Sequence, residues 1–380
     1  MTLTASSLPP EIWMYIQRLA TLETSPLTLA YADRFQYVPL ADPLKDLQGF
    51  LRAACSFVLV CRLWNSLATE ILYENVRVDK RFPMLRATLE RRGAGRLVRS
   101  IRLSPIHDEY NYQILALCPL VQLIVQPDHS TTQTRRWEFA DIPGLSRLPA
   151  LPELLALRHV YCSELLIDSY LLTVVLETSP NIEYLSVTRI TFTPPNDPYA
   201  LAVGELPAIA NLKRLAFPPL LRRAMPSSLF WMNLQGLTRL QCSPTNLALE
   251  EFPTLPSLRV LEIFGSRSII LFPVIFSRCP RLHELCYDVW NRISPPNAAR
   301  SSLSVIRLHS AVTVVRDWTT IETHFRLFLD PGFPALRQLV LHGSWHRVVA
   351  DLKFPSRFPH RLRERGCRFE FPEGNVLNRI

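Results

Sequence analysis

Apolar residues recur along most of the chain in one stencil, at positions p, p+3 and p+5, which returns ten times between residues 98 and 341. The triples are Val98/Ile101/Leu103, Leu120/Leu123/Val125, Leu157/Val160/Cys162, Ile182/Leu185/Val187, Leu212/Leu215/Phe217, Leu237/Leu240/Cys242, Leu258/Leu261/Ile263, Leu282/Leu285/Tyr287, Leu303/Ile306/Leu308 and Leu336/Leu339/Leu341. Their first positions step by 22, 37, 25, 30, 25, 21, 24, 21 and 33 residues, a spacing that marks an array of small repeats. Side chains alternate along a strand, so p+3 and p+5 face one way and p+2, p+4 and p+6 the other. Stacking such coils predicts a parallel sheet whose apolar layer only neighbouring coils can bury. Between the strands, Leu166 to Leu176, Ile269 to Phe276 and Trp318 to Leu329 read as helices on the far side of that layer.

The first eighty residues follow a helical period instead. Ser6-Ser7 before Leu8-Pro9-Pro10-Glu11 is a helix start, with prolines in the first turn and an acid near its positive end. Ile12, Ile16 and Leu19 then form one stripe. A second helix is predicted through Phe57, Val60, Trp64, Leu67 and Ile71, with Leu59, Leu63 and Leu72 on its other side. Leu8-Pro9-Pro10-Glu11-Ile12, then Val58-Leu59-Val60-Cys61-Arg62-Leu63-Trp64 and Leu72-Tyr73-Glu74, resembles an F-box. That resemblance implies docking on the Skp-type adaptor of a cullin ligase core, with Leu8, Pro9, Ile12, Ile16, Val60, Cys61 and Trp64 on the adaptor surface. The remaining apolar positions would face the module's interior. Leu8 to Tyr73 is 66 residues, longer than a minimal F-box, and residues from about 21 to 43 read as an inserted loop. Residues 1–80 also suit a plain helical cap on the first repeat.

The repeats resemble leucine-rich repeats of the ribonuclease-inhibitor-like kind, over roughly residues 95–345. Position p+8, where that pattern holds asparagine or cysteine, carries neither in any of the ten, so an irregular array is expected. The expected α/β architecture is therefore an F-box-like helical module over 1–80 followed by a leucine-rich-repeat solenoid over 81–345 with a parallel concave sheet and convex helices. A cap over 346–380 completes it. Reading the outward positions gives a row for substrate recognition: Arg102, His159, Tyr161, Tyr184, Arg214, Arg239, Glu262, Glu284, Arg307 and Gln338, with Phe264, Asp288, His309 and His342 beyond.

Composition narrows the function. Thirty-two prolines against 11 glycines punctuate turns, and Pro119, Pro180, Pro256, Pro280 and Pro334 stand just before strand segments. Without a long apolar run or a leader pattern, the chain reads as soluble, cytoplasmic or nuclear. The net charge of +9 gathers at Arg81 to Arg102 and at Arg357, Arg361, Arg363, Arg365 and Arg368. Nucleic-acid binding is the alternative those runs raise, but exposed aromatics are not interleaved with them. No phosphate loop, nucleophile elbow or zinc helix motif is present, and no cofactor is expected. His342 and His346 straddle a strand end, and Cys279 and Cys286 lack a readable base. The expected protein is non-catalytic: the substrate receptor of a Skp-cullin-F-box ubiquitin ligase, with a plain interaction scaffold as the rival.

Overall fold

The computed structural model describes residues 8–22, 47–104, 108–126, 151–162, 165–166, 170–187, 190–191, 209–216, 234–243, 253–263, 265, 269–295, 302–310, 317–351, 353–354 and 357–371. Phe264, Phe217 and nearly all of the inserted loop expected at about 21–43 lie outside them. Two compact units divide the chain, one formed by described residues up to Asn211 and the other by those from Leu212 onward. The boundary expected at residue 80 does not separate them. Among the described residues, twelve principal parallel strands, five in the first unit and seven in the second, with two further two-stranded pairs, make a mixed α/β protein.

The first unit opens with α1 (Pro10–Leu22), α2 (Leu47–Val58) and α3 (Arg62–Glu74). Pro10 starts α1 where no amide donor is missed, and Ile12 N donates to Pro9 O at 3.0 Å. The single helix expected through Phe57 to Ile71 is broken. Cys61 is fully extended between α2 and α3, and the Asn65 side chain donates to Val58 O at 3.1 Å, satisfying a carbonyl at the end of α2. The chain then runs straight from α3 into β1 (Asn75–Arg77), followed by α4 (Phe82–Arg92), β2 (Ser100–Arg102), α5 (Asp108–Ala116), β3 (Leu123–Gln126) and β4 (His159–Cys162). β5 (Leu165–Leu166), α6 (Tyr170–Glu177), β6 (Tyr184–Val187) and β7 (Ile190–Thr191) complete it. The principal strands order as β1-β2-β3-β4-β6, while β5 pairs with β7.

Register shows where the stencil holds and where it slips. Val76, Ile101, Ile124, Val160 and Leu185 align across the first unit. The second triple is therefore Val121/Ile124/Gln126, one residue later than its apolar pattern suggested. A turn fixes this: Val121 N donates to Cys118 O across Pro119. Leu258, Leu282 and Leu336 make the same bond across Pro256, Pro280 and Pro334. These prolines sit at the second position of a tight turn, where their fixed φ is pre-set, and the strand starts two residues after the turn's last residue. Gly95 permits a close approach, because a Cβ there would lie 1.9 Å from Leu117 O.

The second unit contains β8 (Arg214–Ala216), β9 (Arg239–Cys242), β10 (Val260–Ile263), β11 (Ile269–Leu271), α7 (Phe272–Arg278), β12 (Glu284–Asp288), β13 (Arg292–Ser294) and β14 (Val305–Ser310). α8 (Trp318–Leu329), β15 (Gln338–Gly343), α9 (Trp345–Ala350), α10 (Arg357–Glu364) and β16 (Arg368–Glu370) follow. Leu215, Leu240, Leu261, Leu285, Ile306, Leu339 and Phe369 form one buried column through β8-β9-β10-β12-β14-β15-β16. Asp317 caps α8 by accepting from Thr319 N at 3.0 Å, and hydrogen bonds, first from the Thr319 side chain, hold its carboxyl low. Behind the column, His324 of α8 receives a bond at Nδ1 from the Tyr287 hydroxyl at 3.0 Å, so its Nε2 donates to Asn291 O at 3.1 Å. Phe325, Phe354, Phe358 and Trp345 pack the carboxy-terminal helices onto it.

Candidate interaction surfaces

Helix α1 presents its apolar stripe outward. Leu8, Ile12, Tyr15, Ile16 and Leu19 are exposed, Ile12 at 43%, while Trp13 is half-buried and Gln17 is fully buried on the inner side. The α2–α3 junction exposes Leu59 at 84% together with Val60, Cys61 and Leu63. Of the residues predicted for an adaptor surface, Leu8, Pro9, Ile12, Ile16, Val60 and Cys61 are exposed. Trp64 differs: its ring is half-buried at 5.0 Å from Trp13 and 5.7 Å from Phe57, holding the three helices together. Leu19, Leu59 and Leu63, expected inside the module, are outside. The stripe was visible in the sequence; its direction was not, because periodicity gives a face and not what the face meets.

The row expected to be open for substrate is closed in the first unit. Tyr161 and Tyr184 are only 5% and 7% exposed, with ring centroids 4.9 Å apart. They cluster with Leu123 and Val125 of the same sheet face and with Ala54 of α2 and Ile71 of α3, against which Leu72 packs. The amino-terminal helices thus cover β3, β4 and β6, and these tyrosines are core residues. The slipped register is the cause, since it places Leu123 and Val125 on the face that was expected to be polar. A strand apolar on both faces is buried on both. Arg102 is half-buried nearby.

In the second unit the same face carries paired polar and charged groups. Arg239 Nε lies 3.0 Å from Glu262 Oε1, Arg307 is bonded to Glu284, and His309 Nδ1 lies 3.6 Å from Asp288 Oδ2. Arg307 also approaches His342 Nε2 at 3.4 Å, and Gln338 is bonded to Glu370. Arg214, Arg239, Arg307 and His309 are half-buried, whereas Glu262 and Asp288 are buried. Burial pushes the Glu262 carboxyl up to about 7, with Arg239 opposing the rise, and burial, with Arg307 and His309 alongside, holds His342 down at about 4. Arg239 and Glu262, Arg307 and Glu284, and His309 and Asp288 are therefore brought together as partners of one another, with His342 beside Arg307.

The two cysteines weighed from the sequence, Cys279 and Cys286, are both buried. Burial pushes the Cys279 thiol up to about 12 and Cys286 also well upward, so neither is poised as a thiolate. Among the described residues, no helix is long and apolar enough to cross a membrane. Compared with known proteins, the chain matches no family model and no curated sequence.

Proposed function

We propose that this chain is a non-catalytic substrate receptor: an F-box-like helical module joined to an irregular leucine-rich-repeat solenoid, docking on a Skp-type adaptor of a cullin ubiquitin ligase. The observation that carries the reading is the outward apolar stripe of α1, with Leu59, Val60 and Leu63 exposed at the neighbouring junction. Contiguous apolar side chains turned to water mark a surface that a partner covers. Burying each contributes about 1.5–3 kcal/mol, so a handful suffices for a stable contact once association costs are met. The mechanism is then proximity: one surface holds the ligase, another holds a target, and a target lysine meets the charged enzyme at high effective concentration. No step requires bond chemistry from this chain.

The test is capture of the full chain by a Skp-type adaptor. Wild type should be retained, and Ile12→Asp with Ile16→Asp should abolish retention while leaving thermal unfolding unchanged, because both side chains already face solvent. No capture of wild type, or equal capture of the double variant, would eliminate the receptor reading. The scaffold reading would then stand, favoured by the packing of α2 and α3 across β3, β4 and β6.

A further inference from the structure

At the entry of each principal strand in the second unit, one residue hands its carbonyl to the next coil. Thr238 N donates to Lys213 O at 2.8 Å, Arg259 N to Thr238 O at 2.9 Å, His283 N to Arg259 O at 2.8 Å, Ser304 N to His283 O at 2.9 Å, Arg337 N to Ser304 O at 2.8 Å and Arg368 N to Arg337 O at 2.8 Å. The ladder sets side chains in a line at about 4.8 Å per strand, so Arg259 and Arg337, three strands apart, are separated by about 14 Å. Lys213, Arg259, His283, Arg337 and Arg368 are exposed, and the line contains no carboxylate.

The first unit has the same ladder with different chemistry. Its line runs Glu74, Arg99, Gln122, Arg158 and Glu183. There Arg99 donates to Arg96 O at 2.7 Å, and Arg158 donates to Leu155 O at 3.0 Å and lies 4.0 Å from Glu183. Those arginines close turns and balance acids. Among the described residues, the Arg259, Arg337 and Arg368 side chains make no hydrogen bond or ion pair, while the charges on the adjoining sheet face are committed to one another. Burial pushes the neighbouring Cys367 thiol up to about 11, and Arg365, Arg337 and Arg368 oppose that rise. The unspent positive charge of Arg259, Arg337 and Arg368 is thus set along one edge.

We propose that this strand-entry edge, from Lys213 to Arg368, binds an acidic segment of a partner protein in extended conformation. Alternate side chains of an extended peptide lie about 6.7 Å apart on one side, so acidic residues at i and i+4 span about the distance from Arg259 to Arg337. Cationic side chains on flexible stems absorb the mismatch. An acidic protein segment fits better than a single-stranded nucleic acid, whose binding uses aromatic platforms for its bases. In the second unit the only large apolar side chain described as exposed is Ile269, and it is not aromatic. The proposal deepens the receptor reading by giving the target a chemistry, and rests on that reading only for the bound protein being a ubiquitylation target.

The experiment measures the full chain directly, without adaptor or ligase, so its failure is distinct from failure of docking. Fluorescence anisotropy compares a labelled peptide of about a dozen residues, alternating glutamate with serine, against the same peptide with glutamine, and against a single-stranded oligonucleotide of similar charge. The glutamate peptide should bind, and weaken steeply between about 50 and 300 mM salt as screening shortens. Arg259→Gln with Arg337→Gln should weaken it about tenfold. Lys213→Gln with His283→Gln supplies a second variant pair, and Arg347→Glu on α9 should leave affinity within about twofold because it lies off the ladder. Absence of peptide binding, equal binding by the glutamine peptide, insensitivity to both glutamine pairs, or tighter binding of the oligonucleotide through the same residues would overturn the proposal.

Discussion

Packing of the amino-terminal helices on the sheet face can be tested by a double-mutant cycle between Ile71 on α3 and Val125 on β3. Both belong to one buried cluster with Ala54, Leu123, Tyr161 and Tyr184. Ile71→Ala removes a side chain 1% exposed and should cost about 2–5 kcal/mol. Val125→Ala removes two methyl groups, about 1.6 kcal/mol of transfer free energy plus a cavity contribution, so about 2 kcal/mol. Because the two vacated volumes share walls, the losses should not add; a coupling of about 1 kcal/mol is expected, within the range for residues around one cavity. Amide hydrogen exchange resolved by peptide reads this locally, as opening free energies of β3, β4 and α3. Ile71→Ala should lower protection in β3 and β4 as well as in its own helix. Unchanged β3 and β4 protection, or additivity within about 0.5 kcal/mol, would refute the packing and restore the helices to a separate module.

Further expectations follow from particular residues. Gly95→Ala should lose about 1–3 kcal/mol or more, read as a lowered unfolding midpoint, because the new Cβ would sit 1.9 Å from Leu117 O. Glu262, with its folded pKa at about 7 against an ordinary 4.5, keeps a proton that the unfolded chain releases between those values. Its contribution is therefore fully present below about 4.5 and is lost as pH rises through about 7; Glu262→Gln should flatten that fall, which is about 3 kcal/mol at most. His324 has the opposite sign: burial holds it at about 4, so its stabilising contribution is present above pH 6.5 and lost on acidification through about 4, and an NMR titration should show no imidazole protonation near pH 6. Trp64→Ala, which removes a ring packed on Trp13 and Phe57, should destabilise the helices by about 3–5 kcal/mol, seen as lost exchange protection in α1.

The Leu column was legible because only a period-two strand inside a stacked coil explains apolar p+3 and p+5 at every return. Its slip at β3 was not, since Gln126 occupies the p+5 position while exposed Leu120 imitates a first position. The unbroken run Leu123-Ile124-Val125 was the available clue that both faces of this strand are covered. β1 and β16 depart from the stencil for a similar reason: Val76 and Phe369 lie in the columns of their own units, but Tyr73 and Gly366 stand three residues earlier, where the stencil has Leu, Ile or Val. The division between α2 and α3 carries neither glycine nor proline, and rests on an asparagine side chain reaching back to a carbonyl. The outward charges were legible as residue types. Their mutual pairing was not, because it depends on which strands become neighbours. The exposed cations one position earlier, Arg259 and Arg337, stand at p+1, outside the expected outward row that begins at p+2.

An amphipathic helix worn inside out has a consequence for the life of the free chain. A ligand that covered α1 would add RT ln(1 + [L]/Kd) to the folded state, so unfolding midpoints would climb with its concentration. Without it, Leu8, Ile12 and Ile16 offer the oily surface that chaperones and proteases recognise, and cellular abundance should track occupancy more closely than synthesis.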